Sequence, residues 1–309
     1  MDTSPQGHPD KLHKSLYSSK NNVMTILIPL RLAETHVDYK LLVRLEDAIY
    51  KNVDGRERFC SEFPKLLRQA IDEVIDPARS KRFTLDEIEK TEKTYLGTKV
   101  EILLRNYLGF ERGKQMDLLI DEVEVDVKNT TTGAWTIPNE ALGHVCILIS
   151  TNERKAYCSF GLIVIRPGVL NRGLNRDQKT TIKKSELTNV HWLLRDSPYP
   201  PNFWLGLEPE VRQAIISPRG GANRVAMLFR LCQGRPISRD LIEALAQQKE
   251  PMRRLRKNGG ARDSLGLDGI EVLSGKTQSR KIAAYGLPCC ESTEYISITV
   301  GSDENNPIS

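Results

Sequence analysis

Apolar positions recur every three to four residues through the early part of the chain and predict helices there. Leu41, Leu42, Leu45 and Ile49 place one helix over 39–52, and Leu66, Leu67, Ile71 and Val74 place a second over 60–74, ended by Pro77. Residues 51–55 between them read as a turn. Thr84 and Glu87 have capping-box spacing ahead of Ile88. They predict a third helix that bends at Gly97 and continues through Leu96, Val100, Leu103 and Tyr107. Glu101 lies one step round from that apolar stripe and can point off the core edge. The pattern then changes. Stretches 118–127, 144–150 and 156–166 are rich in Val, Ile and Leu and predict strands. Helices followed by strands suit an α/β core.

From 171 to 220 the chain is rich in Pro, Gly, Asn and charge, and is expected to be linker and irregular surface. Helices resume after it. Val225, Leu228, Phe229 and Cys232 mark one helix that stops at Gly234. Ser238 is a good N-cap for a second, with Leu241, Ile242, Leu245 and Ala246 apolar. Pro251 suits the first turn of a third, in which Met252 and Leu255 face inward and the arginines outward; a short strand over 268–273 follows. Helix, tight turn, basic helix and strand is the order of a winged helix-turn-helix. A plain helical hairpin with a solvated basic face has the same pattern, and the periodicity alone leaves both open. The expected division is a lead-in over 1–35, an α/β domain over 36–170, the linker over 171–220, and a mainly α domain over 221–309.

Composition narrows the class. Hydrophobic content is 39%, the mean hydropathy is −0.40, and no apolar run reaches the roughly 20 residues of a membrane span. The polar N-terminus lacks the apolar core of a secretory signal, so an intracellular, cytoplasmic protein without a membrane partner is expected. The six cysteines show no CxxC spacing, which argues against a zinc site and a disulfide framework. Net charge is only +5, but between Arg212 and Arg262 twelve basic residues face three acids, an excess that favours a polyanion partner.

The candidate chemistry lies at 117–128. Val123, Val125 and Val127 fall on one face of a strand, and Glu124, Asp126 and Lys128 on the other. Asp126 and Lys128 are roughly 6–7 Å apart along such a strand, room for one divalent ion and one water. With Asp117 upstream and Glu101 on the preceding segment, the set reads as a metal-dependent phosphodiesterase centre. An exposed strand face carrying a salt bridge is the competing reading. Acid-x-Lys occurs four times, at Asp38, Asp126, Glu153 and Asp177, and only the Asp126 copy lies in a valine-alternating strand.

These residues resemble a known family. The runs Lys90-Thr91-Glu92-Lys93-Thr94, Gly97-Thr98, Val100-Glu101-Ile102, Val125-Asp126-Val127-Lys128 and Gly133-Ala134-Trp135 resemble the NaeI family of type II restriction endonucleases. So do Ile137-Pro138, Gly143-His144-Val145-Cys146, Asn175-Arg176-Asp177, Ala246-Gln247-Gln248, Met252-Arg253-Arg254 and Gly259-Gly260-Ala261-Arg262. The match runs in order over about 65–290. It implies a PD-(D/E)xK nuclease core joined to a winged helix-turn-helix domain, acting as a homodimer on two copies of a double-stranded DNA site, one of them an effector. It also implies Glu101, Asp117, Asp126 and Lys128 as the catalytic set, with Mg²⁺ held by Asp117, Asp126 and the Val127 carbonyl. Arg239, Arg253, Arg254, Arg256, Lys257 and Arg262 are the expected DNA-binding residues. A DNA-binding regulator without activity, and a nuclease directed by DNA structure, are the alternatives. Met116 stands where the clan's proline would precede Asp117.

Overall fold

The computed structural model describes residues 31–173 and 179–300. Most of the expected lead-in and the Asp177 triplet lie outside the described residues. Residues 31–35, assigned to that lead-in, instead join the fold: Leu32 is buried in the main core and Arg31 pairs with Glu46 at 3.0 Å.

Four helices open the described chain, α1 (Tyr39–Asn52), α2 (Arg56–Ile75), α3 (Pro77–Ser80) and α4 (Lys90–Leu108). The apolar stripes select their buried faces: Leu42, Leu45 and Ile49 of α1 pack against Phe59, Phe63, Leu67 and Ile71 of α2 and Leu96, Val100 and Leu104 of α4. The turn expected at 51–55 is present, with Asp54 and Gly55 at positive φ. The third helix starts five residues later than a Thr84 cap predicts. Glu89 and Glu92 form its capping box, and Glu92 accepts the Glu89 amide at 2.8 Å. Around Thr84 the chain makes a turn, where the Glu87 carboxylate accepts the Phe83 amide at 2.6 Å.

The strands are β1 (Leu118–Ile120), β2 (Val123–Thr130), β3 (Thr136–Ile137), β4 (Val145–Asn152), β5 (Tyr157–Val164), β6 (Thr180–Thr181) and β7 (His191–Pro198). The single strand expected over 118–127 is a hairpin. Asp121 and Glu122 both adopt positive φ, the geometry of a two-residue turn that matches strand twist. The sheet order is β1-β2-β4-β5-β7, with β2 and β4 parallel and the other pairs antiparallel. β7 comes from the stretch expected to be linker, and its Leu193 and Leu194 fill the core against the helices. The sheet therefore runs past residue 170. Its helical side buries Val125, Val127, Ile147 and Phe160; the opposite side packs Cys146, Leu148 and Ile163 with Trp135 and Trp192.

After β7 come α5 (Pro209–Ile216), α6 (Gly221–Leu231), β8 (Ile237–Ser238), α7 (Arg239–Ala246), α8 (Ala261–Leu267), β9 (Ile270–Ser274), α9 (Ser279–Ala284) and β10 (Glu294–Thr299). Ser238 caps α7 as expected, accepting the Leu241 amide at 3.2 Å. β8, β10 and β9 form an antiparallel sheet in that order. The basic run is not the expected α-helix: a 3-10 turn covers Pro251–Leu255, and the chain breaks at Asn258 and Gly259, both at positive φ. Gly260 can only be glycine, since a Cβ there would meet the Arg256 carbonyl oxygen at 2.1 Å. Phe83, from the chain between α3 and α4, sits in the core of this region against Trp204, and Asn202 Nδ2 donates to its carbonyl at 2.8 Å. No helix among the described residues is long and apolar enough to cross a membrane.

Candidate active site

The β1–β2 hairpin builds the site. Its register pairs Leu118 with Val125, and the next step outward sets Asp117 across from Asp126. Asp117 Oδ2 accepts the Val127 amide at 2.8 Å, which fixes its carboxylate beside β2. Asp126 is only 6% exposed, because its face of the sheet is covered by the second core. Lys128, two residues on, curls back along the strand: its Nζ lies 2.7 Å from Asp126 Oδ1 and 2.6 Å from Oδ2, and 3.4 Å from the Val127 carbonyl. Glu101 stands on α4, 3.8 Å from Arg105, and its charge reaches Asp117. The structure thus brings Asp117, Asp126 and Lys128 together at the middle of β2, with Glu101 on α4 near enough for its charge to act on Asp117.

The electrostatics are those of crowded carboxylates. Burial pushes the Asp117 carboxyl up to about 7, reinforced by its hydrogen bond with Asp126 and by the charges of Glu101 and Asp126; the Val127 amide opposes the rise. Cys146, opposite Asp126 on β4, brings its Sγ within 3.6 Å of Asp126 Oδ2. Burial and that carboxylate hold the thiol well above its ordinary range.

The donor set suits a hard divalent cation. Asp117, Asp126 and the Val127 carbonyl offer oxygen only, and a cation would offset the burial and neighbouring negative charge that raise the Asp117 carboxyl. Lys128 Nζ already contacts Asp126 and the Val127 carbonyl, so positive charge is accommodated there. Among the described residues no group of three or more His, Cys, Asp or Glu side chains is assembled to hold a metal. Two carboxylates and a carbonyl leave coordination positions for phosphate oxygens and water, as at sites that share their cation with a substrate.

The sequence comparisons decide the family. The model of restriction endonuclease NaeI matches residues 51–306. Type II restriction enzyme NaeI of Lentzea aerocolonigenes is 33% identical over 282 residues, covering 88% of this chain and 86% of its own. The chain belongs to the restriction endonuclease NaeI family.

In this NaeI-family chain the matched span takes in the sheet that carries Asp126 as well as the β8-β10-β9 sheet. The expected DNA-binding residues do not form one cluster on a helix. Arg239 opens α7, exposed and paired with Glu243 at 2.6 Å. Arg253, exposed, pairs with Glu250, and Arg254 is half-buried beside it. Arg256 and Lys257 are exposed on the connection into α8, where Arg262 stands half-buried. Two of the other acid-x-Lys triplets, those at Asp38 and Glu153, have structural roles. Asp38 pairs with Arg166, and Glu153, expected on a polar turn, is a largely buried acceptor for Arg68, Tyr199 and Asn202.

Sequence reasoning missed Glu124 and Gly113. Glu124 was placed on the functional face by alternation alone, with no role. Its carboxylate takes three consecutive backbone amides: Lys114 at 2.8 Å, Gln115 at 3.2 Å and Met116 at 2.8 Å. A Cβ on Gly113 would lie 2.2 Å from Glu124 Oε2. The sequence signal was a lone glycine in a polar stretch before Asp117, too common to single out.

Proposed function

We propose that this chain is a cytoplasmic, Mg²⁺-dependent endonuclease that hydrolyses phosphodiester bonds of double-stranded DNA at a specific sequence. Membership of a restriction endonuclease family supplies the reaction class. The observation that carries the site assignment is the convergence of Asp117, Asp126 and Lys128 at the middle of β2, with the charge of Glu101 on α4 acting on Asp117.

Asp117, Asp126 and the Val127 carbonyl would hold the cation. When bound, it polarises the scissile phosphate and screens the charge that builds on it. Lys128 Nζ leaves Asp126 to orient the attacking water and to neutralise charge on a non-bridging phosphate oxygen. Burial and neighbouring negative charge raise the Asp117 carboxyl, and a bound cation would favour its ionised form. Glu101 orders water at the edge of the site or hydrogen-bonds the released Lys128. In-line attack leaves a 5′-phosphate and a 3′-hydroxyl.

The C-terminal region reads a second, effector copy of the DNA site, and the protein works as a homodimer. The order α6, β8, α7, α8, β9, α9, β10, with sheet order β8-β10-β9, supports a winged helix-turn-helix in which α9 lies between the two longer strands. In that reading α8 takes the recognition position. Arg253, Arg254, Arg256 and Lys257 belong to the segment leading into it, where they meet phosphates.

The test is digestion of long natural-sequence DNA by purified protein with Mg²⁺, beside an EDTA control and Lys128→Ala. Discrete fragments that vanish in both controls are expected. DNA left intact but shifted in a gel would instead identify a binding protein without activity, and random nicks would identify a structure-directed nuclease.

A further inference from the structure

We propose that Glu124 is a positioning residue for the reaction: its carboxylate, set in a cradle of backbone amides, fixes the segment that delivers Asp117 to the cation. The inference rests on the assignment of Asp117 as a cation ligand. Residues 112–117 have no regular secondary structure, so no strand ladder holds them in place. Glu124 supplies what a ladder would. Oε1 accepts the Lys114 amide at 2.8 Å, and Oε2 accepts those of Gln115 at 3.2 Å and Met116 at 2.8 Å. Asp117 is the next residue. Glu124 itself is anchored on β2, paired with Leu119 and two residues before Asp126. One carboxylate thereby ties the approach to Asp117 to the strand that carries Asp126 and Lys128.

By alternation Glu124 shares a face with Asp126 and could be mistaken for a third cation ligand. The cradle argues against that, because both of its oxygens are engaged by amides. Gly113 belongs to the same device. Its missing side chain leaves the space that Glu124 Oε2 fills, where a Cβ would come within 2.2 Å. Glutamine at 124 has the same size, yet it turns an N–H₂ toward an amide donor and loses the charge that strengthens all three bonds.

The experiment measures Mn²⁺ binding to the DNA-free protein by electron spin resonance, together with the melting transition and the Mg²⁺ dependence of cleavage. The variants are Glu124→Gln, Gly113→Ala, their double, and Asp117→Asn as reference. Partners of a cation ligand typically change affinity by roughly ten- to a hundred-fold when removed. Glu124→Gln and Gly113→Ala should each weaken Mn²⁺ binding within that range while the chain still melts cooperatively. The double variant should be little worse than either, since both disturb the seating of residues 113–116 against Glu124. Unchanged Mn²⁺ affinity in Glu124→Gln would overturn the role. Loss of affinity in Glu124→Gln but not in Gly113→Ala would make Glu124 a ligand instead, and loss of the melting transition in both would assign the cradle to the fold. If Asp117→Asn itself binds Mn²⁺ and cleaves normally, the assignment of the site fails, not this inference alone.

Discussion

Lys128 Nζ lies within 2.7 Å of both carboxylate oxygens of Asp126, two residues back along the same strand. The ammonium thus neutralises a carboxylate that is nearly excluded from solvent. Lys128→Ala should lower cleavage by at least roughly 100-fold, the scale for loss of one group that stabilises transition-state charge. Affinity for DNA should stay within about two- to threefold, because a single phosphate contact is a small part of the interface. A gel-shift titration beside single-turnover cleavage separates the two, and a variant that no longer binds DNA would remove Lys128 from the chemistry.

Asp117 gives the cation-free protein a characteristic pH response. Its folded carboxyl titrates near 7, above its ordinary value of 3.8. The sign follows from linkage: the group contributes stability fully below the ordinary value and loses it as pH rises through about 7. In EDTA the melting temperature of the native protein should therefore fall between about pH 4 and pH 7 relative to Asp117→Asn. Cation affinity should rise over the same interval as the proton is displaced. Parallel melting curves for the two proteins across that range would count against the buried, shared-proton geometry.

The pair of Glu46 and His191 is sealed inside the main core, with Nε2 and Oε2 at 2.7 Å and Arg31 on the other carboxylate oxygen. Burial alone would raise the Glu46 carboxyl. Its hydrogen bond and ion pair with His191, with help from Arg31, bring it below its ordinary value. Stability from Glu46 is thus present above its ordinary value of 4.5 and is lost as pH falls through the lower folded one. His191→Leu strands the carboxylate and should cost about 3–5 kcal/mol, read from urea unfolding at neutral pH. A loss under about 1 kcal/mol would show that Arg31 and water suffice to hold Glu46.

Arg253, Arg256 and Lys257 leave their charge on the segment that enters α8. Replacing Arg253 and Arg256 together by alanine should flatten the dependence of log affinity on log salt by about one unit per lost phosphate contact. Sequence preference at the recognised site should persist. Arg262, on α8 itself, should change preference more than slope when replaced. Unaltered slopes in the double variant would take this segment out of the interface.

The functional face of β2 was legible because alternation is a property of the strand itself: three valines in, three charged residues out. The hairpin that carries Asp117 to Asp126 was not legible. Its turn residues, Asp121 and Glu122, adopt positive φ without the glycine or asparagine that advertises such turns. β7 was hidden by the prolines after it, although His191-Trp192-Leu193-Leu194 is a short apolar run of the kind a doubly covered strand shows. The basic run after Pro251 had the charge of a recognition helix but not the length, since Gly259 and Gly260 let the chain turn before a second helical turn could form. The start of α4 was misplaced because Thr84 is the more familiar cap, while Glu89 and Glu92 close the actual one.

Phe83 is contributed by the chain ahead of α4, yet its ring is enclosed with Trp204 among the side chains of the C-terminal core. The β2-bearing region and the C-terminal region are therefore not interchangeable parts on a tether. A chimera that splices the last hundred residues onto a relative's sheet would leave an aromatic socket empty. To be grafted intact, the C-terminal region must bring residues 78–83 with it, although they precede β2 in the chain.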